Sequence, residues 1–252
     1  MSHSRDIASI TSARDITCSD NGDPDKSIDV TAGRSQAASF LALGDSYTIG
    51  QSVLETERWP VVLAKRLRSF GIDLRPLRIV AKTGWTTDEL SAGIAHATQR
   101  TLWEPSWDLV SLLIGVNNQF RGRSVDDYRA EFVALLETAI QFAGGLPDNV
   151  IVISIPDWGV TPAAKRMRAD AAVIAAEIDA FNAAAADETA TAGAHWIDVT
   201  AISRKAASDL SLLARDGLHP SGSMYSEWVD VIFDTAAEIT SRSSAVVRAD
   251  AE

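Results

Sequence analysis

The sequence predicts an α/β fold built on a five-stranded parallel sheet. Five short apolar runs, each a candidate strand, recur along residues 37–243, and segments with helical spacing lie between them. Alternation of strand and helix is typical of a parallel sheet with helices on both faces. The chain has 252 residues, 46% of them hydrophobic, which suits one sizeable domain with its own core.

The predicted strands are apolar runs that end near glycines or polar residues. They cover residues 38–44, 77–81, 108–115, 150–155 and 195–199. The fourth run reads VIVISI, and this nearly continuous β-branched stretch is typical of a strand that is buried on both faces. We therefore expect the fourth strand to lie inside the sheet.

The predicted helices occupy the segments between and after the strands. They cover residues 58–70, 86–99, 124–143, about 170–191 and 221–241, and Ser221 is the predicted cap of the last helix. The third is the clearest, because Ser124 can cap it and Asp127 follows three residues later. Apolar residues then recur at steps of three and four until Gly144, so one face of this helix is predicted to be buried.

Composition limits the organisation and the partners of the chain. Residues 1–36 are polar and lack an apolar period, so we expect a flexible N-terminal tail, one domain over 37–243 and a short C-terminal tail over 244–252. The formal net charge of −11 disfavours nucleic acid and anionic membranes as partners. The single cysteine, Cys18, excludes an intrachain disulfide, and no secretory signal or membrane span is evident. We expect a cytoplasmic protein.

Two short segments contain the residue types of a nucleophile and its base. Ser46 lies in GDSYTIG, two residues past the first strand, where a tight turn can expose a hydroxyl. His219 lies in DGLHP, and its unperturbed pKa of about 6.5 suits a general base. Asp216, three residues earlier, can orient the imidazole. Each segment alone is also compatible with an ordinary turn, so both interpretations stay open on these residues.

Two further segments follow the second and third strands. Asn117, in GVNN, has an amide that can donate to a developing oxyanion. Gly84, in KTGWTT, leaves its backbone N–H open to close approach by a ligand. Taken singly, each is also typical of a plain loop. Ligands of parallel α/β sheets bind beyond the carboxyl ends of the strands, where these segments are expected.

In this order and spacing, the four segments resemble the SGNH hydrolase superfamily of GDSL-type esterases and lipases. The superfamily takes its name from Ser, Gly, Asn and His in four sequence blocks. Here GDSYTIG resembles the first block, KTGWTT the second, GVNN the third and DGLHP the fourth, across residues 38 to about 240. The resemblance implies a three-layer α/β/α sandwich similar to flavodoxin and a serine esterase that works through an acyl-enzyme.

The resemblance also implies a role for each matching residue. Ser46 would be the nucleophile, His219 the general base and then acid, and Asp216 the group that orients it. The oxyanion hole would be formed by the N–H groups of Ser46 and Gly84 and the side chain of Asn117. The third block of the superfamily usually reads G-x-N-D, and here Asn118 replaces the aspartate. Asn118 keeps an acceptor and loses a charge, which affects the expected hydrogen bonds of this loop more than the role of Asn117.

Other residues near the strand ends support weaker predictions. Trp85 and Trp158 are candidates for the wall of a substrate pocket, with core packing as the alternative for each. Asp45 is predicted to hold the nucleophile loop through hydrogen bonds. Asp198 is a weaker candidate than Asp216 for the acid of the triad.

The remaining charged residues and histidines limit cofactors and substrates. His3, His96 and His195 have no carboxylate or histidine neighbours at metal-ligand spacing, so no metal or other cofactor is expected. Arg58 and Arg121 are candidates for contact with an acidic substrate group.

The expected partner is a small-molecule ester. The chain has no long apolar lid segment, which favours a short acyl group. Two alternatives remain at this stage. An acyltransferase would use the same acyl-enzyme with an alcohol acceptor. A non-catalytic binding module would use GDSYTIG as an anion-binding turn at a helix N-terminus.

Overall fold

The structure, a computed structural model, describes residues 36–100 and 104–249. Within these residues the strands are β1 (Gln36–Gly44), β2 (Ile72–Ala81), β3 (Leu109–Leu113), β4 (Val150–Ile153) and β5 (His195–Ile197). All their pairings are parallel, and they form one five-stranded sheet in the order β2-β1-β3-β4-β5. The predicted α/β class and five-stranded parallel sheet are confirmed.

Helices cover both faces of this sheet. They are α1 (Ser46–Ile49), α2 (Trp59–Ser69), α3 (Thr87–Arg100), α4 (Val116–Phe120), α5 (Val125–Phe142), α6 (Pro162–Arg166), α7 (Ala171–Ala192), α8 (Thr200–Arg204) and α9 (Gly222–Ala249). Helix α2 packs against α9, and α5 packs against α3 and α7. The result is the three-layer α/β/α arrangement that the resemblance implies.

Helix α5 has the caps and the buried stripe that its sequence predicts. The hydroxyl of Ser124 accepts a hydrogen bond from the N–H of Asp127 at 3.1 Å. The buried residues of this helix recur at steps of three and four from Tyr128 to Ala139. Burial of such a stripe against the sheet supplies most of the stability of a helix in a globular protein.

Strand β2 begins earlier than the sequence predicts. Its first residues, Ile72 to Leu74, pair with β1 from Gln36 to Ala38, and the register then shifts so that Phe40 pairs with Leu77. The irregularity falls at Pro76, which has no N–H to donate to a neighbouring strand. Proline is tolerated here because β2 lies at the edge of the sheet.

The predicted N-terminal tail lies almost entirely outside the described residues, whereas part of the predicted C-terminal tail is helical. The expected tail of residues 1–36 lies, except for Gln36, outside the described residues. Helix α9 continues to Ala249, beyond the predicted end of the last helix at residue 241 and into the segment assigned to a C-terminal tail. Among the described residues, no helix is both long and apolar enough to cross a membrane.

The order of the strands determines where a ligand can bind. Strand β1 lies between β2 and β3, so the next strand along the chain is added on one side of β1 and the strand after it on the other side. Such a switch point opens a crevice at the carboxyl ends of the strands. Ser46, Gly84 and Asn117 lie in the segments that directly follow β1, β2 and β3, which places all three at this edge.

Candidate active site

Ser46 is the first residue of the one-turn helix α1, immediately beyond β1. The side chain of Asp45 caps this helix by accepting the N–H of Tyr47 at 3.0 Å. Gly44 is required for the turn, because a Cβ at this position would lie 2.2 Å from Thr48 Oγ1 and 2.5 Å from the carbonyl oxygen of Leu113. The turn therefore brings the backbone close to β3 and presents Ser46 to a pocket at the edge of the sheet.

Asp216 and His219 form a tight turn whose hydrogen bonds fix both side chains. Asp216 Oδ1 accepts the N–H groups of Leu218 at 2.9 Å and of His219 at 3.0 Å. The other oxygen, Oδ2, lies 2.7 Å from His219 Nδ1. An ionised carboxylate can only accept, so Nδ1 carries the proton and Nε2 is left as an acceptor. This is the tautomer that a general base needs.

The carboxyl group of Asp216 is strongly acidic in this environment. Partial burial raises its pKa, but hydrogen bonds from Ser52, from the His219 side chain and from backbone N–H groups outweigh burial and bring the pKa to about 2. Asp216 is therefore ionised at neutral pH, and it is placed to stabilise positive charge on the imidazole when the ring takes up a proton.

Ser52 is a residue of this site that the sequence analysis did not identify. Its hydroxyl donates to Asp216 Oδ2 at 2.6 Å, across 164 positions of the sequence. Its backbone has a φ of 68°, which is uncommon for a residue other than glycine. A serine in a polar loop carries no sequence signal for such a contact, because only the fold brings the loop to residue 216.

Asp198, the weaker candidate for the triad acid, has other partners. Its Oδ1 accepts the hydroxyl of Ser154 at 2.9 Å and the N–H of Thr200 at 2.7 Å. These bonds link the end of β5 to β4 and to the start of α8. The carboxyl group next to His219 belongs to Asp216 and not to Asp198.

Asn117 lies on the one-turn helix α4, just after β3. Its Nδ2 donates to the backbone oxygen of Trp85 at 2.9 Å, which fixes the orientation of the amide. An amide nitrogen has two hydrogens, so this bond leaves a second donor, and Asn117 lines the same pocket as Ser46.

Two backbone N–H groups at the same edge of the sheet also have no hydrogen-bond acceptor among the described residues. Ser46 is the first residue of a helix, where N–H groups have no acceptor within the helix. Gly84, with a φ of 86°, donates no backbone hydrogen bond within the described residues, and a Cβ there would meet nothing within 4 Å. Gly84 does not line the pocket itself, but its carbonyl accepts Arg121 Nη2 at 2.7 Å.

Asn118 is completely buried, and its hydrogen bonds show how the loop tolerates the loss of the usual aspartate. Its Oδ1 accepts the N–H of Thr87 at 3.1 Å, and its Nδ2 donates to Thr87 Oγ1 at 2.6 Å. That hydroxyl in turn donates to the carboxylate of Glu131. Glu131 therefore supplies, from α5, the negative charge that an aspartate at residue 118 would supply. Two carboxylates around one hydroxyl would repel each other.

The pocket that contains Ser46 and His219 is largely apolar and has a volume of about 140 Å³. Five apolar side chains line it: Val116, Phe120, Trp158, Met167 and Leu218. Trp158 is held by a hydrogen bond from its Nε1 to Gln119 Oε1 at 2.8 Å and by edge contact with Phe120. Trp158 therefore lines the pocket that contains Ser46 and His219, and its contact with a substrate stays a prediction.

Two expected features of the pocket differ in the structure. Trp85 does not line it; its ring packs so closely on Gly93 of α3 that a Cβ there would lie 2.1 Å from the indole. The Ser46 hydroxyl makes no hydrogen bond to His219 or to any other described residue. Catalytic hydrogen bonds are often long or absent without substrate and shorten when it binds.

Asp45 is buried directly beside Ser46, and its environment favours the protonated form. Burial raises its pKa to about 7, against hydrogen bonds from backbone N–H groups that lower it. Its Oδ2 has no hydrogen-bond partner among the described residues, so a charge on this oxygen is not compensated. The expected structural role of Asp45 rests on Oδ1, which holds the N–H of Tyr47.

The free energy of unfolding should therefore depend on pH through Asp45. The folded chain binds this proton more tightly than the unfolded chain, whose reference pKa is 3.8, so the stability is present below pH 4 and is lost as pH rises to about 7. Asp45→Asn keeps the acceptor and removes the charge. Urea unfolding should show it more stable than wild type at pH 8, by on the order of a few kcal/mol, and nearly equal at pH 4. A difference that is the same at both values would contradict this assignment.

Comparisons with known proteins give a consistent result. A family described as the GDSL-like Lipase/Acylhydrolase family matches residues 42–226. No match was found among curated protein sequences. Many solved structures are similar to this chain in fold.

The psychrotrophic esterase EstA from Pseudoalteromonas sp. has 16% sequence identity and a TM-score of 0.60, with 80% of this chain and 97% of the other covered. The lipase/acylhydrolase from Enterococcus faecalis has 22% identity and a TM-score of 0.58, with 81% and 96% covered. Phospholipase A1 from Streptomyces albidoflavus NA297 has 19% identity and a TM-score of 0.56, with 79% and 100% covered. At these identities the likeness concerns the fold.

Proposed function

The chain belongs to the GDSL-like lipase/acylhydrolase family, a family of ester hydrolases, and on this premise we propose that it is a serine esterase acting on short acyl groups through an acyl-enzyme on Ser46. The observation that supports the proposal most is the 2.7 Å contact between His219 Nδ1 and Asp216, at a pocket that also contains Ser46. With the Nδ1 proton directed to Asp216, Nε2 is left as the acceptor that the proposed base requires.

In the first half of the reaction, Ser46 Oγ attacks the carbonyl carbon of the ester while His219 Nε2 takes the hydroxyl proton. The carbonyl oxygen becomes an oxyanion, which the N–H groups of Ser46 and Gly84 and the amide of Asn117 stabilise. Asp216 stabilises the imidazolium. The intermediate then breaks its bond to the alcohol oxygen, and His219 returns the proton to that oxygen, leaving Ser46 acylated.

In the second half, water attacks the acyl group under general-base assistance from His219. The bond to Ser46 Oγ breaks, the proton returns to that oxygen, and the carboxylic acid leaves. No step requires a metal or another cofactor. The assignment of Asp198 as the orienting acid is not proposed, because its carboxylate is bound to Ser154 and Thr200.

The size of the pocket supports short acyl groups. A closed cavity of roughly 150 Å³ holds one molecule of benzene, so a pocket of about 140 Å³ suits an acyl chain of comparable size. Phe120 and Met167, at the rim, are 57% and 50% exposed, so they already border solvent. A longer chain would extend past them into water.

A cytoplasmic location stays a prediction.

A series of p-nitrophenyl esters from acetate to palmitate tests the activity and the acyl preference together, because the leaving group is constant. Each methylene group buried in the pocket contributes about 0.8 kcal/mol, roughly fourfold in kcat/KM, and methylene groups beyond the rim contribute little. We therefore expect kcat/KM to rise with chain length up to short chains of a few carbons and then to level off or fall. A preference for palmitate over butyrate would contradict the short-acyl assignment.

A further inference from the structure

We infer that the leaving alcohol of the substrate carries a negative charge, which a group of cations next to the turn of His219 recognises; this inference rests on the proposed esterase function. The group consists of Lys165, Arg166, Arg168 and Arg215, and we call it the cationic rim. All four side chains are exposed. Met167, which lies between Arg166 and Arg168 in the sequence, lines the pocket that contains Ser46 and His219.

Two hydrogen bonds join helix α6, which contains Lys165 and Arg166 of the cationic rim, to the turn that contains His219. The N–H of Ala163 donates to the carbonyl oxygen of Gly217 at 3.1 Å, and Arg166 Nη2 donates to that of Asp216 at 2.9 Å. Gly217 has a φ of 66°, and a Cβ at this position would lie 3.4 Å from Arg166 Nη1. These contacts hold Arg166 against the turn that contains Asp216 and His219.

The cationic rim differs from most of the protein surface in its lack of carboxylate partners. None of its four residues forms an ion pair within residues 36–100 and 104–249. Most arginines elsewhere are paired, and these include Arg66 with Asp230, Arg129 with Glu188 and Arg204 with Asp157. In a chain of net charge −11, acidic partners are plentiful, so a group of unpaired cations at the pocket is a local exception.

The two arginines that the sequence suggests for contact with an acidic group each have a carboxylate neighbour in the chain. Arg58 lies 3.3 Å from Glu55, and Arg121 lies 3.1 Å from Glu89 and also binds the carbonyl of Gly84. Their charges are compensated within the chain. The structure thus moves the expectation of an anion contact from these two residues to the cationic rim.

The chemistry of the leaving group indicates which half of the substrate meets these cations. His219 returns its proton to the alcohol oxygen, so the alcohol must lie on the side of the imidazole. The cationic rim is attached to the same turn, whereas the apolar walls suit the acyl group. A carboxylate, phosphate or sulfate on the alcohol would lie close to these cations. Their local attraction would oppose the repulsion that a protein of net negative charge exerts on an anion.

Two esters with the same acyl group and different charge test this inference. At neutral pH 4-acetoxybenzoate is an anion, and 4-acetoxybenzamide is its neutral counterpart. The readout is the ratio of kcat/KM for the anionic ester to that for the neutral ester. It is compared among wild type, the double variant Lys165→Gln/Arg168→Gln, and the control Lys65→Gln. Lys65 is an exposed lysine on α2 that has no ion pair within the described residues.

We expect the ratio to fall about three- to tenfold in the double variant, because each exposed charge interaction contributes a modest amount, and to stay unchanged in Lys65→Gln. In wild type the ratio should also fall as salt rises from 10 mM to 1 M, and this fall should be weaker in the double variant. The salt series needs no substitution, so it holds even if the variant is unstable.

The outcomes separate this inference from the esterase proposal. A wild-type protein that cleaves neither ester, nor any other short-chain ester, would overturn the esterase proposal and this inference with it. Cleavage of both esters, with the same ratio in wild type and double variant and no effect of salt, would overturn only the inference that the cationic rim recognises a charged leaving group. The same ratio is then measured for the acetyl ester of a phenol that carries a phosphate group and the acetyl ester of the phenol without it. Comparison of the two ratios shows whether the cationic rim prefers phosphate or carboxylate.

Discussion

Replacing Ser46 by alanine will lower kcat/KM for p-nitrophenyl acetate by on the order of 10⁴- to 10⁶-fold, down to the rate that oxyanion stabilisation and binding alone support. The reason is that no acyl-enzyme can form without the hydroxyl. The side chain of Ser46 makes no hydrogen bond to another described residue, so its loss should leave the fold intact. Initial rates at saturating and subsaturating ester, together with the melting temperature, measure both effects.

The matched control is Ser226→Ala, at an exposed position of α9. It removes a hydroxyl whose only hydrogen-bond partner among the described residues is the carbonyl of Gly222. This variant should retain wild-type kinetics. If Ser46→Ala kept more than about a hundredth of the wild-type rate with an unchanged melting temperature, the nucleophile would be another group, because loss of a nucleophile cannot leave that much covalent catalysis.

Replacing Asp216 by asparagine will lower kcat by about 10³- to 10⁴-fold. An amide in this place can face Nδ1 with its oxygen or with its NH₂, and it lacks the charge that stabilises the imidazolium. The carboxylate also accepts the N–H groups of Leu218 and His219 through Oδ1, and asparagine can accept only with its one oxygen. Pre-steady-state release of p-nitrophenol isolates the acylation step, where the loss should appear.

Ser52→Ala is the graded companion of this variant. It removes one donor to Asp216 Oδ2 and leaves the charge and the contact with His219 in place. A single hydrogen bond contributes about 0.5–1.5 kcal/mol, so we expect a loss of about two- to tenfold in kcat/KM. Because the hydrogen bond from Ser52 helps to lower the pKa of Asp216, its removal should raise that pKa, and the loss of kcat/KM on acidification should begin at a higher pH. If Asp216→Asn retained a rate near wild type, Asp216 would not orient the base.

The parts of the fold that sequence could predict are those with a repeating pattern. Helix α5 is predicted with its Ser124 cap and its buried stripe, because apolar residues recur at regular spacing from Tyr128 to Ala139. The strand VIVI is recognisable from its uninterrupted β-branched run. Strand β2 is predicted only after Pro76, because a proline within a strand removes a hydrogen-bond donor and hides the pattern.

The sequence predicts those contacts of the candidate site that join residues close together in the chain. Asp216 and His219 are three residues apart, so a single turn brings them together, and the sequence alone suggests this contact. Ser52 and Glu131 reach the site only through the fold. Ser52 contacts Asp216 across 164 positions, and Glu131 approaches Asn118 from another helix. Neither residue has a local pattern that reveals its contact.

The orientation of large side chains was also not predictable. Trp85 and Trp158 both follow strands, and the sequence suggests a pocket role for each. In the structure Trp158 lines the pocket, whereas Trp85 lies on Gly93, whose lack of a side chain makes room for the indole. Position in a loop determines which edge of the sheet a residue occupies, but packing against the next helix determines where its ring points.

The most direct test of the central claim is to label the protein with a fluorophosphonate and to locate the adduct by peptide mass spectrometry. The serine of an activated pair displaces fluoride and forms a stable bond to phosphorus, as it would to the acyl carbon of an ester. The account predicts one adduct per chain, on Ser46, and loss of labelling in His219→Ala. Active protein that is labelled at a different residue, or inhibited without any adduct on Ser46, would contradict it.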